Sequence, residues 1–104
     1  MERSPYLPAI KKALEDLYGE RLRGVILFGS EARGDASPDS DIDLLVLLAG
    51  PFDYWTEVDR IIHQLYPIQL RVLRPLDATP VAADEYEAAE LPLLSNASRE
   101  GLWL

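Results

Sequence analysis

The chain has 104 residues, 48% of them apolar, which suits one compact domain with a single core over residues 1–104. Its 18 acidic and 10 basic residues give a net charge of −8. This charge disfavours direct binding to DNA or RNA, because such binding needs clustered Lys and Arg. Cysteine is absent, which excludes disulfides and thiolate metal sites.

The hydropathy pattern gives no sign of a membrane or secretion signal. The first residues lack the apolar run of a signal peptide, and no segment approaches the roughly 20 apolar residues that span a bilayer. We therefore expect a soluble, cytoplasmic protein that does not bind membranes.

The first half of the chain predicts one helix and two buried strands. Ser4 and Pro5 are typical of a helix start, and apolar residues then recur at helical spacing until a glycine ends the pattern. Residues 25–28 and 42–48 are apolar runs typical of strands buried on both faces, the second broken only by an aspartate near its start. Residues 30–40 between them predict a turn or short helix followed by a loop.

The second half predicts a helix, a third strand and a helical tail. Residues 54–65 have the spacing of an amphipathic helix that ends before Pro67. Residues 68–73 alternate apolar and polar, which predicts a strand with one solvated face. After an acidic stretch at residues 82–90, a proline and a glycine predict a final helix over residues 92–101. The order indicates an α+β domain with a small mixed β-sheet packed against helices.

A Gly-Ser pair follows the first predicted strand. At Gly29 the backbone allows a phosphate to approach closely, and Ser30 offers a hydroxyl beside free N–H donors. Arg33, four residues after Gly29, can add a cationic group for phosphate oxygens. Each residue alone could equally be a turn or capping residue, so the pair by itself is a weak signal.

Two aspartates strengthen that signal. Asp41 and Asp43 are two residues apart at the start of a predicted strand, so their side chains share one face. Mg²⁺ prefers hard oxygen ligands and is often held by one or two carboxylates together with substrate phosphates. Folding does not require two carboxylates at the entrance of an apolar strand, where burying charge is costly. The set therefore predicts a magnesium and nucleotide site.

Together these residues resemble a known signature. Gly-Ser-x-Ala-Arg-Gly at 29–34, followed by Ser-Asp-x-Asp at 40–43 and an apolar strand, is similar to the signature of the minimal nucleotidyltransferase (MNT) family of the DNA polymerase beta superfamily. The similarity is close over this segment and looser over most of the chain. It implies the nucleotidyltransferase fold, with ATP or another nucleoside triphosphate as substrate and Mg²⁺ as cofactor.

The resemblance also implies roles for individual residues. Asp41 and Asp43 would hold Mg²⁺ and act in catalysis. The triphosphate would be bound by Gly29, Ser30, Arg33 and Ser40.

One departure from the family pattern concerns a third carboxylate, which catalytic members usually carry on the neighbouring strand. On the predicted strand at residues 68–73, Gln69 or Arg71 stands where an acid is expected. An amide cannot accept a proton, and an arginine would repel a metal ion. Asp77 lies beyond Pro75 and would have to reach in from a loop, which we do not expect.

Two hypotheses about function follow. In the first, the domain transfers AMP to a protein hydroxyl, as the resemblance to MNT proteins paired with HEPN partners in antitoxin–toxin systems implies. In the second, it is a catalytically impaired, antitoxin-like module that neutralises a HEPN partner by contact. An RNA or antibiotic nucleotidyltransferase is disfavoured because a second substrate domain would not fit, and a homo-oligomer remains open.

The apolar residues 102–104 either pack back on the domain, as we expect, or contact another protein.

Overall fold

The computed structural model describes residues 4–34, 37, 39–88 and 101–104 and contains a four-stranded mixed sheet with helices on both faces. In chain order the elements are α1 (Leu7–Tyr18), a 3₁₀ turn (Gly19–Arg21), β1 (Leu22–Phe28), α2 (Gly29–Arg33), β2 (Ile42–Leu48), α3 (Tyr54–Gln69), β3 (Leu76–Ala82), α4 (Ala83–Ala88) and β4 (Leu102–Trp103). The predicted α+β class is confirmed. Within these residues no helix is both long enough and apolar enough to cross a bilayer.

The sheet has the strand order β3-β2-β1-β4. β1 pairs antiparallel with β2 on one side and with β4 on the other. β2 and β3 are parallel, so the chain must cross from one end of the sheet to the other between them, and α3 makes this crossing. The loop after β1 and the starts of β2 and β3 therefore meet at one end of the sheet.

The core lies on both faces of β1 and β2, as their continuous apolar runs predict. Alternate residues of each strand point to opposite faces, so each strand contributes to two clusters. The larger cluster packs the sheet against α1 and α3 and includes Ile10, Leu14, Val25, Leu27, Leu44, Val46, Ile61 and Leu65. The smaller cluster, on the opposite face, contains Ile26, Leu45, Leu47, Val81 and Tyr86.

The first helix begins later than its sequence predicts. Ser4 and Pro5 lie in a turn before α1, where the Ser4 hydroxyl accepts a hydrogen bond from the Tyr6 N–H at 3.2 Å. The helix itself starts at Leu7 and ends before Gly19. The serine thus stabilises the turn that leads into the helix.

The predicted strand at residues 68–73 is wrong. α3 does not end before Pro67 but continues through it to Gln69. Proline cannot donate a backbone hydrogen bond, yet the Leu70 N–H still donates to the Tyr66 carbonyl at 3.1 Å, so the helical turn closes around it. The third strand is instead Leu76–Ala82.

Gln69 connects this helix to the third strand. Its amide nitrogen donates to the Val72 carbonyl at 3.2 Å and to the Arg74 carbonyl at 3.0 Å. Its amide oxygen accepts a hydrogen bond from the Leu76 N–H at 2.8 Å. Gln69 therefore holds the turn that starts β3 and does not occupy a strand position beside β2.

The apolar segment at the end of the sequence packs back on the domain, as expected. Leu102 and Trp103 pair with β1 as β4, and the Leu104 N–H donates to the Val25 carbonyl at 2.9 Å. The indole of Trp103 lies over Gly24, where a Cβ would clash with it. Of the final helix predicted over residues 92–101, all but Gly101 lies outside the described residues, and Gly101 itself is not helical.

A buried polar contact joins α1 to α3. The Tyr18 hydroxyl donates to Oε1 of Glu57 at 3.0 Å, and the Arg60 guanidinium donates to the same oxygen at 3.2 Å. Glu57 is only 4% exposed, so these donors compensate the loss of water around its charge. Burial, followed by the hydrogen bond to Glu57, raises the pKa of the Tyr18 hydroxyl far above its ordinary value.

We predict that Tyr18→Phe lowers the free energy of unfolding by about 1 kcal/mol at neutral pH, because Glu57 loses one donor. The raised pKa also sets a pH dependence: above the unfolded value of about 10, Tyr18 ionises only in the unfolded chain. The stability that it contributes is thus complete below pH 10 and lost as pH rises further. Urea unfolding between pH 7 and 11 should show a smaller alkaline loss for Tyr18→Phe than for wild type. Tyr54→Phe, on the exposed side of α3, is the control, and equal alkaline losses in both variants would contradict the assignment.

Candidate active site

Three aspartates meet where β2 and β3 begin. Asp41 immediately precedes β2, Asp43 is its second residue, and Asp77 is the second residue of β3. The parallel register places Asp43 directly beside Asp77. One carboxylate oxygen from each of the three lies within 4.8 Å of the other two. We call Asp41, Asp43 and Asp77 the acidic triad.

The triad overturns the expectation that the third carboxylate is missing. Neither Gln69 nor Arg71 lies beside the aspartates of β2, because the strand that was to carry them is helix and turn. Asp77 belongs to a strand and does not reach in from a loop. The sequence signal for this strand is weak, since Pro75 precedes it and Pro80 interrupts it. Proline within a strand is compatible with an edge position, which β3 occupies.

The electrostatics of the triad favour a bound cation. Asp43 is half-buried, and burial is the largest cause that raises the pKa of its carboxyl. The nearby charges of Asp77 and Asp41 raise this pKa further, whereas Arg74 lowers it. A divalent cation among the carboxylates would remove their repulsion. Three carboxylates at this spacing suit Mg²⁺, and Asp41, Asp43 and Asp77 are the residues that would hold it.

Gly29 lies against the triad. Its φ of +72° is a conformation that glycine adopts readily, and a Cβ at this position would come within 2.6 Å of the Asp43 Oδ2. Only a residue without a side chain lets the chain pass so close to the carboxylate. Ser30 follows in the first turn of α2 and is half-buried. The phosphate-binding roles of Gly29 and Ser30 stay predictions, and the position of Gly29 against Asp43 agrees with them.

Arg33 and Ser40, the other predicted nucleotide ligands, lie on either side of the loop between α2 and β2. Arg33 is the last residue of α2 and is exposed. The Ser40 hydroxyl donates to the Ser37 carbonyl at 2.8 Å and accepts from the Ser37 N–H at 3.1 Å. Ser40 therefore stabilises the loop, and nucleotide binding by either residue stays a prediction.

Sequence reasoning missed two residues beside the triad, Glu31 and Arg74. Glu31 is 1% exposed, and its carboxylate pairs with the Arg74 guanidinium at 2.5 Å and accepts a hydrogen bond from the Ser4 N–H. Glu31 occupies the variable position of the Gly-Ser-x-Ala-Arg-Gly motif, and its partner is 43 positions away in the sequence. A contact between such distant residues leaves no periodic signal in a single chain.

Comparison with known proteins identifies the family. Residues 7–95 match the family described as nucleotidyltransferase domain. Two candidate protein adenylyltransferases of Methanocaldococcus jannaschii are similar in sequence. MJ0604 is 50% identical over 42 residues, which are 40% of this chain and 42% of that protein. MJ0141 is 42% identical over 48 residues, 46% of this chain and 48% of that protein, so the matched segments span less than half of either relative.

Solved structures share the fold. A chain in the crystal structure of a mutant form of the toxin–antitoxin MntA–HpeT superposes with a TM-score of 0.66 at 24% identity, covering 93% of this chain and 69% of the other. A nucleotidyltransferase-like protein from Sulfolobus solfataricus superposes with a TM-score of 0.57 at 22% identity, covering 91% and 72%. The family match over residues 7–95 shows that the chain belongs to the nucleotidyltransferase domain family, in agreement with the resemblance seen in its sequence.

Proposed function

We propose that this domain is an active nucleotidyltransferase that transfers AMP from ATP to a hydroxyl group of a protein, with Mg²⁺ as cofactor. The observation that carries the proposal is the position of Asp77, in register with Asp43 and close to Asp41. The names of the M. jannaschii relatives, candidate protein adenylyltransferases, support both the nucleotide and the class of acceptor.

Different residues of the site would bind the cofactor and the triphosphate. The acidic triad would hold Mg²⁺ at the end of the sheet, and Gly29, which lies against Asp43, would with Ser30 receive the triphosphate beside it. Bound there, Mg²⁺ supplies charge neutralisation to the phosphate oxygens. Positioning and electrostatic stabilisation are the main sources of catalysis in phosphoryl transfer.

In the transfer, the acceptor oxygen forms a bond to the α-phosphorus as the bond from that phosphorus to the β-phosphate oxygen breaks. Pyrophosphate leaves, and the proton of the acceptor hydroxyl passes to a carboxylate. Asp77 is our candidate for this base because it is exposed on an edge strand, whereas Asp43 is half-buried between β1 and β3. A positioned base of this kind contributes about 10²–10⁴-fold to a rate.

The second hypothesis, a catalytically impaired binding module, depended on the missing third acid. The presence of Asp77 in the triad removes that support. A protein partner remains part of the proposal, because the net charge of −8 disfavours nucleic acid and a structural neighbour comes from a toxin–antitoxin complex. We propose a HEPN-family protein as that partner and acceptor.

The first prediction from the proposed function tests Asp77. Asp77→Asn keeps the shape of the side chain but removes its charge and its capacity to accept a proton, so we expect AMP transfer to fall by about 10²–10⁴-fold. The assay uses Mg²⁺, ATP labelled at the α-phosphate, and a HEPN-family protein as acceptor. Asp59→Asn, on the exposed side of α3, is the control. If Asp77→Asn transfers AMP as fast as wild type, the triad is not the catalytic centre.

The second prediction concerns stability without metal. Because the pKa of Asp43 is raised in the folded chain, its charge destabilises the fold at pH values above that pKa, and the penalty disappears as pH falls through it. Asp43→Asn should therefore raise the Tm of metal-free protein by a few degrees at pH 7, with a smaller difference near pH 4, and should abolish any rise in Tm with Mg²⁺.

A second aspartate, whose pKa is shifted in the opposite direction, provides a control. Asp53 caps α3, and its hydrogen bonds from the side chain and backbone of Thr56 lower its pKa. Asp53→Ala should lower the Tm at pH 7. An Asp43→Asn variant that is also less stable at pH 7 would show that the triad is not under repulsion.

The third prediction separates backbone strain from the fit at the site. Gly29→Ala and Gly34→Ala both place a Cβ at positive φ, which costs about 1–2 kcal/mol. Only at Gly29 does the Cβ meet the Asp43 carboxylate, whereas Gly34 faces open space. Thermal melting with and without Mg²⁺ and ATP should show lower stability for both variants and loss of ligand stabilisation for Gly29→Ala alone. Equal ligand stabilisation in both would remove Gly29 from the site.

A further inference from the structure

Arg74 lies at the centre of a set of contacts around the acidic triad. It precedes β3 by two residues, and its side chain is 14% exposed. Its Nη1 pairs with Glu31, its Nε donates to the Ser40 carbonyl at 2.7 Å, and its Nη2 donates to the Asp41 carbonyl at 3.2 Å. One guanidinium thus uses all three of its nitrogens on three separate groups.

These contacts join the three segments that form the site. Glu31 lies on α2 two residues after Gly29, Ser40 and Asp41 end the loop before β2, and Arg74 leads into the strand of Asp77. Each segment comes from a different part of the sequence. The guanidinium therefore ties the proposed phosphate-binding turn, the loop and the third strand to one another.

Asp41 depends on this arrangement more than the other two aspartates do. Asp43 and Asp77 lie within strands, where the backbone ladder fixes them. Asp41 lies outside β2, and the pairing of β2 with β3 starts one residue later, with the Ile42 N–H bonded to the Pro75 carbonyl at 2.9 Å. Among the described residues, Arg74 holds Asp41 in place through the hydrogen bond to its carbonyl, although the carboxylates of Asp43 and Asp77 repel the Asp41 side chain.

Glu31 explains why the guanidinium stays in place. A carboxylate that is 1% exposed needs a charged partner, and Arg74 is the cation that pairs with it. The Ser4 N–H occupies its other oxygen. With one end fixed in this way, the guanidinium presents its remaining donors to Ser40 and Asp41 in a planar geometry that an ammonium group cannot reproduce.

We infer that Arg74, anchored by Glu31, is a positioning residue that preassembles the metal site by holding Asp41 beside Asp43 and Asp77. The inference rests on the proposed function, in which the triad binds Mg²⁺. Outer-shell contacts of this kind typically change metal affinity by about 10–100-fold.

The first test needs no metal. Arg74→Lys keeps the charge but loses the planar set of donors, so amide exchange at Ile42, followed by NMR in metal-free protein, should become faster. The Ala49 N–H, bonded to the Arg21 carbonyl at 2.9 Å at the other end of β2, is the control amide and should be unchanged. Equal exchange at Ile42 in wild type and Arg74→Lys would overturn the inference.

The second test measures Mn²⁺ affinity by calorimetry. We expect Arg74→Lys and Glu31→Gln to raise the Kd by about tenfold or more, and Arg60→Lys, whose partner Glu57 lies away from the triad, to leave it unchanged. In an Asp41→Asn background the effect of Arg74→Lys on the Kd should disappear while its effect on Tm persists, which a purely structural role would not produce.

The outcomes separate the two proposals. Wild-type protein that binds no Mn²⁺ overturns the proposed function together with this inference. Wild-type protein that binds Mn²⁺, with Arg74→Lys binding it equally well, overturns the inference alone. Full additivity of Arg74→Lys and Asp41→Asn on the Kd would also overturn it, because Arg74 would then not act through Asp41.

Discussion

The parallel pairing of β2 with β3 determines which residue stands beside Asp43, and the candidate site depends on this register. Side chains in a strand alternate between faces, so a shift of one residue would turn Asp77 toward the apolar cluster under α1 and α3. Burial of a charge there would be costly. The same apolar pattern that fixes β3 on the sheet therefore also places the third carboxylate with the other two.

The structure separates apolar burial from charge along the length of the sheet. The middle of β1 and β2 is apolar on both faces, while the carboxylates gather at one end, where Gly29 leaves room for them. Mutual repulsion among carboxylates works against folding, so the core must supply enough stability to tolerate it. A bound cation would neutralise these carboxylates and remove the repulsion. Their presence at one end of the sheet is therefore better explained by ligand binding than by the stability of the fold.

Local features of the site could be predicted from the sequence, and nonlocal ones could not. The strand Ile42–Leu48, the short helix after Gly29 and the two aspartates around Ile42 all follow from neighbouring residues. The third acid was missed because the alternation at residues 68–73 imitates a strand, while the actual strand is interrupted by Pro80. Tertiary contacts determine where α3 ends and where β3 begins. α3 stays helical past Pro67 because it is packed on the sheet, and the hydrogen bonds of Gln69 then hold the turn that leads into β3.

The Glu31–Arg74 pair has a consequence for how such domains change over time. A substitution at either position alone would leave a charge in a buried site without its partner, which costs about 3–5 kcal/mol in comparable pairs. The residues at the two positions should therefore covary: either both are kept, or both are replaced by another matched pair. In related chains, the residue at the variable position of the motif would then forecast the residue three positions before the third acid, and a designer who grafts this site onto another scaffold would have to transfer both.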